Sequence, residues 1–316
     1  MALNPENDSF FCAEELHNLS VGCMIITVWK YSGKDETDMK KIIVTGCNGQ
    51  LGRAVNQQYA GSTEYELINT DVGELDITKI DEVMKFAREI NPYAIVNCAA
   101  YTAVEACEKE EDLAFRINAI GARNLSIAAN ETGAKLMHIS TDYVFDGNGT
   151  RPYKETDPVG PQGAYGRTKL AGEEFVREFS DRHFILRTAW LYGDGKNFVK
   201  TMLRLSETND KVRVVRDQVG SPTSAKELAK AIAYLLPSEN YGLFHATCEG
   251  DCSWAQFTEE IFRLAGKKTV VEGITSEEYG AAVKRPAYSI LENYMFKMTS
   301  DFMFADWHDA IAEYLK

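Results

Sequence analysis

The stretch Lys41-Ile-Ile-Val-Thr45-Gly46-Cys-Asn-Gly49-Gln-Leu-Gly52 runs from a short β-branched segment straight into a glycine turn. An apolar run without polar alternation suits a strand buried on both faces of a parallel sheet. The residues that follow, Arg53 to Tyr59, have helical spacing. Strand, glycine turn and helix together form a context in which backbone N–H groups can approach a pyrophosphate at a helix N-terminus. The spacing is G-x-x-G-x-x-G rather than the commoner G-x-G-x-x-G. Gly46, Gly49 and Gly52 are thus candidate cofactor contacts, with a plain glycine connection as the alternative.

Downstream, the chain alternates strand and helix patterns. Tyr65-Glu-Leu-Ile-Asn69 reads as a second strand leading to Asp71. That acid sits at about the distance expected for a carboxylate on the adenosine ribose, where it disfavours a 2′-phosphate and leans towards NADH. An ordinary strand-end aspartate is the competing reading. Asp76-Ile77 lies in the next loop and can flank an adenine. Ile80 to Ile90 is helical, Ala94-Ile-Val-Asn97 is a strand, and Glu105 to Asn130 reads as one long helix containing Asn118. Leu136-Met-His-Ile139 is a further strand ending in Ser140-Thr-Asp142, with His138 read as a satisfied core histidine. This order predicts an α/β fold with a doubly wound, Rossmann-like parallel sheet. Ligands of such sheets sit at the carboxyl ends of the strands. The glycine turn, Ala100–Thr102 and Ser140–Asp142 all fall there.

Tyr165-Gly-Arg-Thr-Lys169 places a phenol and an ammonium on one face if the segment is helical. A free phenol has a pKa of about 10. A neighbouring cation favours the phenolate and brings that value towards the working range, so Tyr165 can protonate a carbonyl oxygen while hydride reaches the carbon. A second match, Tyr192-Gly-Asp-Gly-Lys196, contains two glycines and reads as a turn, which keeps its side chains off a common face.

Over 316 residues the net charge is −13, which argues against a reader of nucleic-acid phosphates. No apolar run approaches the roughly 20 residues of a membrane span. Seven cysteines are scattered, with Cys248-x-x-x-Cys252 the only close pair; reduced thiols in a cytoplasmic protein are expected. Residues 1–38 read as an N-terminal extension with an apolar patch, Val21 to Trp29, and a solvated linker, Lys34 to Asp38. An extra hairpin, a partner contact and an upstream start are the open readings for it. Residues 39–190 are assigned to the nucleotide-binding domain. Residues 191–316 are assigned mainly to a smaller substrate-binding lobe, with elements interleaved with the first domain. In it, Arg285-Pro286 can meet a diphosphate, and Trp190 offers either a face for a sugar or a buried core indole.

The glycine turn, Thr141 after a strand and Tyr165-x-x-x-Lys169 together resemble the extended short-chain dehydrogenase/reductase superfamily. Within it the chain is similar to the dTDP-4-dehydrorhamnose reductases. The segments that carry the likeness include Asn97-Cys-Ala-Ala-Tyr-Thr-Ala-Val104, Ser140-Thr-Asp-Tyr-Val-Phe-Asp-Gly147, Arg187-Thr-Ala-Trp-Leu-Tyr192, Asp217-Gln-Val-Gly-Ser-Pro-Thr223 and Arg285-Pro-Ala-Tyr-Ser289. The resemblance implies reduction of a 4-keto nucleotide sugar by NADH or NADPH. It implies Tyr165 as the acid, Lys169 as its partner and Thr141 as a hydrogen-bond donor to the carbonyl. It also implies a cofactor lined by Gly49, Gln50, Leu51, Asp71, Asp76, Ile77, Ala100, Tyr101 and Thr102, and a substrate touching Thr141, Asp142 and Trp190, with Val104 nearby. A homodimer is compatible with it. Two departures stand out: Tyr101 and Glu105 occupy positions where the family often has His and Asp. Some members hold magnesium at a dimer interface through a glutamate just after the glycine turn; Ala54 stands there, so neither that metal nor that dimer is expected. A sugar-nucleotide epimerase or dehydratase of the same fold remains an alternative, although a dehydratase usually carries an Asp-Glu pair where Asp142 is followed by Tyr143. A non-catalytic regulator resembling that of methionine adenosyltransferase is the third reading.

Overall fold

The computed structural model describes residues 39–316; the readings made for the extension lie outside them. Within these residues the chain runs β1 (Lys40–Thr45), α1 (Gln50–Gln58), β2 (Tyr65–Thr70), α2 (Ile80–Ile90), β3 (Ala94–Asn97), α3 (Val104–Lys109), α4 (Glu111–Phe115), α5 (Gly121–Thr132), β4 (Lys135–Thr141), α6 (Ala164–Phe179) and β5 (His183–Thr188). There follow β6 (Leu191–Tyr192), α7 (Phe198–Ser206), β7 (Lys211–Val215), β8 (Val219–Gly220), β9 (Thr223–Ser224), α8 (Ala225–Leu235) and β10 (Gly242–His245). The chain closes with β11 (Cys252–Ser253), α9 (Trp254–Leu264), β12 (Val270–Ile274), α10 (Ser276–Tyr279), β13 (Tyr288–Ser289), α11 (Tyr294–Thr299) and α12 (Trp307–Tyr314).

The main sheet is parallel, in the order β10-β5-β4-β3-β1-β2. Its strands have two apolar faces because each is covered twice. Ile42 and Val44 of β1 join Ala94, Val96, Leu186 and Phe244 in a cluster with α1 and α8. Ile43 points the other way, with Ile95, Leu136 and Ile185, into a cluster with α2 and α5. This is the doubly wound sheet the apolar runs predict. The strand order reverses at β1 and β3, so the crevice beyond their carboxyl ends is the favoured ligand position.

After β5 the chain builds three smaller sheets, β11-β8-β13, β12-β7 and β6-β9. Their residues share a cluster that includes Val212, Val214, Phe257, Ile261, Trp307 and Ile311. Two later elements, β10 and α8, return to the main sheet and its cover.

The long helix read over Glu105 to Asn130 is broken in the structure. Glu110 leaves helical geometry, with φ −127° and ψ 49°. A π-turn then occupies Arg116–Ile120 before α5 begins. The wider turn goes with a polar task. The Asn118 amide accepts from the Tyr101 N–H at 2.8 Å and donates to the Tyr101 carbonyl at 3.1 Å. It also donates to Thr168 Oγ1 at 3.1 Å, joining the loop after β3 to α6. Helical periodicity reports apolar spacing and does not register a single side chain drawn inward.

Helix α6 is fixed to the sheet by a buried ion pair. Glu173 accepts from Arg187 Nε at 2.8 Å and Nη2 at 2.7 Å, from Ser140 Oγ at 2.6 Å and from Arg177 at 2.7 Å. Burial pushes the Glu173 carboxyl up, but Arg187, Ser140 and Arg177 together hold it below its ordinary value. The stability it contributes is therefore present above the unfolded carboxyl's pKa and is lost as pH falls through the lower folded value. Removing one partner of such a pair leaves the other buried and unpaired, at a cost of about 3–5 kcal/mol. Glu173→Ala is expected to lose that much in urea unfolding followed by circular dichroism. A loss below 1 kcal/mol, roughly that of an exposed pair, contradicts this account.

Candidate active site

The site assembles where β1, β3 and β4 end. Gly46 follows β1 with φ +63°. A Cβ there would lie 2.8 Å from the Ala99 backbone, so the glycine turn and the loop after β3 can pack together only without a side chain. The Gly49 N–H donates to the Gly46 carbonyl at 3.0 Å. Helix α1 begins at Gln50, earlier than the spacing predicts, which puts Gly52 in its first turn, where any Cβ would meet the Gly46 carbonyl. No side chain caps α1 and no acid lies in its first turn. Its leading N–H groups remain available to an anion.

A cleft of about 290 Å³ covers this turn, lined by Gly46, Gly49, Asp71, Asp76, Ile77 and Ala100. A second cleft, of about 470 Å³, shares Gly49, Cys98, Ala99 and Ala100 with it and reaches Thr102, Thr141, Tyr165, Lys169 and Trp190. The two together suit an extended dinucleotide. The Asp71 carboxylate accepts from the Asn48 N–H at 3.3 Å, and Glu74 holds the Asp71 N–H at 2.9 Å, so two acids stand at this end. Asp76 is tied to Thr78 and held below its ordinary carboxyl value by that bond. Gln50 and Leu51 border the larger cleft, and the Gln50 amide oxygen accepts from the Gly193 N–H at 2.9 Å. Tyr101 is not among the residues lining either cleft. Its hydroxyl donates to Glu110, and its ring packs beside Cys107 and Ala164.

Tyr165 and Lys169 lie one turn apart on α6, and both line the larger cleft. The α6 N-terminus is capped from outside: Glu108 accepts the Ala164 N–H at 2.6 Å. Lys169 is 2% exposed, donates to the Ile139 carbonyl and lies 3.5 Å from His138 Nε2. His138 is satisfied on its other nitrogen. Asn97 Oδ1 accepts the Ala99 N–H, which turns the Asn97 amide nitrogen onto His138 Nδ1 at 3.1 Å. Burial pulls Lys169 down to about 8. Burial also raises the Tyr165 phenol above its ordinary value; the Thr141 hydroxyl opposes this and Asp142 adds to it. The sequence predicts a phenol lowered by its lysine, whereas in the protein alone burial raises it and Lys169 is not among the groups that shift it. By contrast, Tyr192 sits in the core at the end of β6, with Lys196 beyond in the loop.

Thr141 closes β4 and is buried beside Asp142, also buried. Trp190 has a left-handed backbone, φ +49°, and its ring stacks on Trp254 with centroids 3.5 Å apart and planes 7° from parallel. Gly220 lies against this indole so closely that a Cβ would come within 2.6 Å of it. Val104 borders the larger cleft and an adjoining cavity that Arg285 lines together with Tyr143 and Tyr165. Arg285 pairs with Glu105 at 3.3 Å rather than entering the larger cleft. Trp254 and Thr188 also face the larger cleft, and no motif in the sequence marks them. Trp254 is 64 residues beyond Trp190 by number, and no local pattern couples them. Among the described residues no group of three or more His, Cys, Asp or Glu gathers as a metal site, and Ala54 packs into the core. The five cysteines among them are free.

Comparison with known proteins agrees with this architecture. Residues 39–316 match the family described as the RmlD substrate binding domain. The spore coat polysaccharide biosynthesis protein SpsK of Bacillus subtilis is 42% identical over 279 residues, 88% of this chain and 98% of that protein. A dTDP-4-dehydrorhamnose reductase structure from Clostridium acetobutylicum is 51% identical with a TM-score of 0.85, over 87% of this chain and 98% of that one. The Bacillus anthracis dTDP-4-dehydrorhamnose reductase, solved with NADP, is 43% identical with a TM-score of 0.85, over 88% and 99%. Matched along almost the whole length of these relatives, the chain belongs to the RmlD family of dTDP-4-dehydrorhamnose reductases, within the extended short-chain dehydrogenase/reductase superfamily.

Proposed function

We propose that this protein reduces the C4 keto group of dTDP-4-dehydro-L-rhamnose to a hydroxyl, using NADH or NADPH and yielding dTDP-L-rhamnose. One observation carries the reading: Tyr165, Lys169 and Thr141 border a cleft that continues into the glycine turn after β1. A bound dihydronicotinamide supplies the hydride. The protein's own part is to hold the sugar's carbonyl beside Tyr165, which donates its proton to the C4 oxygen as negative charge develops there. Lys169, with N–H groups left over after the Ile139 carbonyl, is suited to hold ribose hydroxyls and to restore charge next to the phenol. Thr141 supports the carbonyl, and Trp190 gives the sugar an apolar wall.

Two features favour reduction over the alternatives. Tyr143 follows Asp142 where a dehydratase of this fold usually carries its second acid. The cleft beside Trp190 is roomy enough for a sugar, which a purely regulatory subunit does not require. The proposal also includes a cytoplasmic location and a homodimer, the latter read directly by light scattering. Among the described residues no helix is long and apolar enough to cross a membrane.

Tyr165→Phe is expected to reduce kcat by about 10²–10⁴-fold, the usual contribution of a general acid, while NADH binding by fluorescence is kept. Near-normal turnover would remove Tyr165 from the role; Tyr192→Phe serves as the comparison and should change kcat little. For the cofactor, Asp71→Ala is expected to raise kcat/KM for NADPH relative to NADH, because a carboxylate near the ribose repels a 2′-phosphate. An unmoved ratio means that Asp71 does not contact that ribose.

A further inference from the structure

We propose that Asp142 is a positioning residue whose proton sets the direction of the Thr141 hydroxyl, and that reduction runs through the state in which that proton is present. This rests on the reductase reading above. A threonine hydroxyl has one hydrogen and two lone pairs. The Tyr143 N–H occupies one lone pair of Thr141 at 3.3 Å. Thr141 Oγ1 lies 2.9 Å from Asp142 Oδ1, within hydrogen-bond reach. An ionised carboxylate only accepts. Against it, the Thr141 hydrogen is committed, and the hydroxyl offers the cleft a lone pair alone. It can then only take the Tyr165 hydrogen, the one the substrate carbonyl needs.

A neutral Asp142 reverses the arrangement. Its O–H donates to Thr141, fills the second lone pair and frees the Thr141 hydrogen. Tyr165 and Thr141 then both donate to the carbonyl oxygen, the arrangement that best stabilises a developing oxyanion. As hydride from the dihydronicotinamide forms the new C–H bond at C4, the Tyr165 O–H bond breaks and an O–H bond forms on the sugar. Asp142 keeps its proton throughout, so the balance needs no other reactant.

The surroundings of Asp142 suit the neutral form. It is 4% exposed and borders the cleft, and among the described residues its Oδ2 has no partner in full hydrogen-bond geometry, Ser289 acting on it only as a weaker pull. Burial pushes its carboxyl up to about 6, against the pull of Ser289, Thr141 and the N–H groups of Asp142 and Tyr143. Facing it are Thr141 and Tyr143 from its own turn, Tyr165 from α6 and Ser289 from β13; the cations Lys169, across the same cleft, and Arg285, beside Tyr143, are not among the groups that shift it. A substrate closing the cleft excludes more water and moves the carboxyl further in the same direction.

The test is kcat against pH at saturating NADH and dTDP-4-keto sugar. Wild-type kcat is expected to fall about tenfold or more between roughly pH 5.5 and 7.5, as an essential acid ionises. Asp142→Asn carries permanent amide donors, so that ratio should drop to about one. In Thr141→Val no hydroxyl is left to turn, and the residual rate should also be flat; a direct substrate contact by Asp142, or a purely structural one, would leave the fall in place. A readout without turnover is ¹³C NMR of labelled aspartate carboxyls in the protein alone, where one signal, missing in Asp142→Asn, should titrate near pH 6. A midpoint near 4, a wild-type profile with no fall, or a fall that persists in Thr141→Val would each overturn the proposal. If Asp142→Asn does not fold, the Thr141→Val profile and the wild-type titration decide. A wild type inactive at every pH removes the reductase reading instead, and the titration still reports on Asp142.

Discussion

The buried carboxylate of Glu173 governs the geometry of the whole site. It ties α6 to β4 through Ser140 and to β5 through Arg187. Tyr165 and Lys169 stand on that helix, and Thr141 is the last residue of the strand it is bound to. A charge without water demands fixed partners, because each unmet hydrogen bond costs more than an exposed ion pair returns. The positions of the proton donor and its neighbours therefore follow from satisfying one acid a turn further along the helix. Asn118 adds a second tie, from the π-turn to Tyr101 and to Thr168 of α6.

The sheet was legible because its strands are covered on both faces. Ile42, Ile43 and Val44 had to be continuously apolar, and that is a signal a single sequence carries. The glycine turn was legible because only residues without Cβ allow Gly46 to meet Ala99. The pairing of Tyr165 with Lys169 follows from helical geometry alone. What escaped reading depends on chain segments distant in sequence. The stacking of Trp254 on Trp190 arises from the return of α9 towards β6, which no spacing encodes. The π-turn over Arg116–Ile120 goes with one inward asparagine, Asn118, in an otherwise helical pattern. The outward turn of Tyr101 depends on Glu110 being close enough to accept its hydroxyl.

Desolvation dominates the electrostatics of the site. Lys169 is lowered, Tyr165 raised and Asp142 raised, each chiefly by burial. All three shifts favour the uncharged form. A site tuned this way holds its charges in check until ligands bring their own phosphates and hydroxyls. The protein contributes rigid placement of hydrogen-bonding groups, and the ligands complete the field in which they work.

The stacked indoles of Trp190 and Trp254 give the molecule a built-in optical probe. Two parallel rings with centroids 3.5 Å apart couple their electronic transitions, so the pair is a source of near-ultraviolet circular dichroism and of quenched emission. Trp190 borders the cleft through a left-handed backbone that leaves its ring little freedom against Gly220. Any sugar that slides against this ring, or parts it from Trp254, alters that coupling. Occupancy of the cleft can thus be followed in the unlabelled protein, independently of the absorbance change that accompanies turnover.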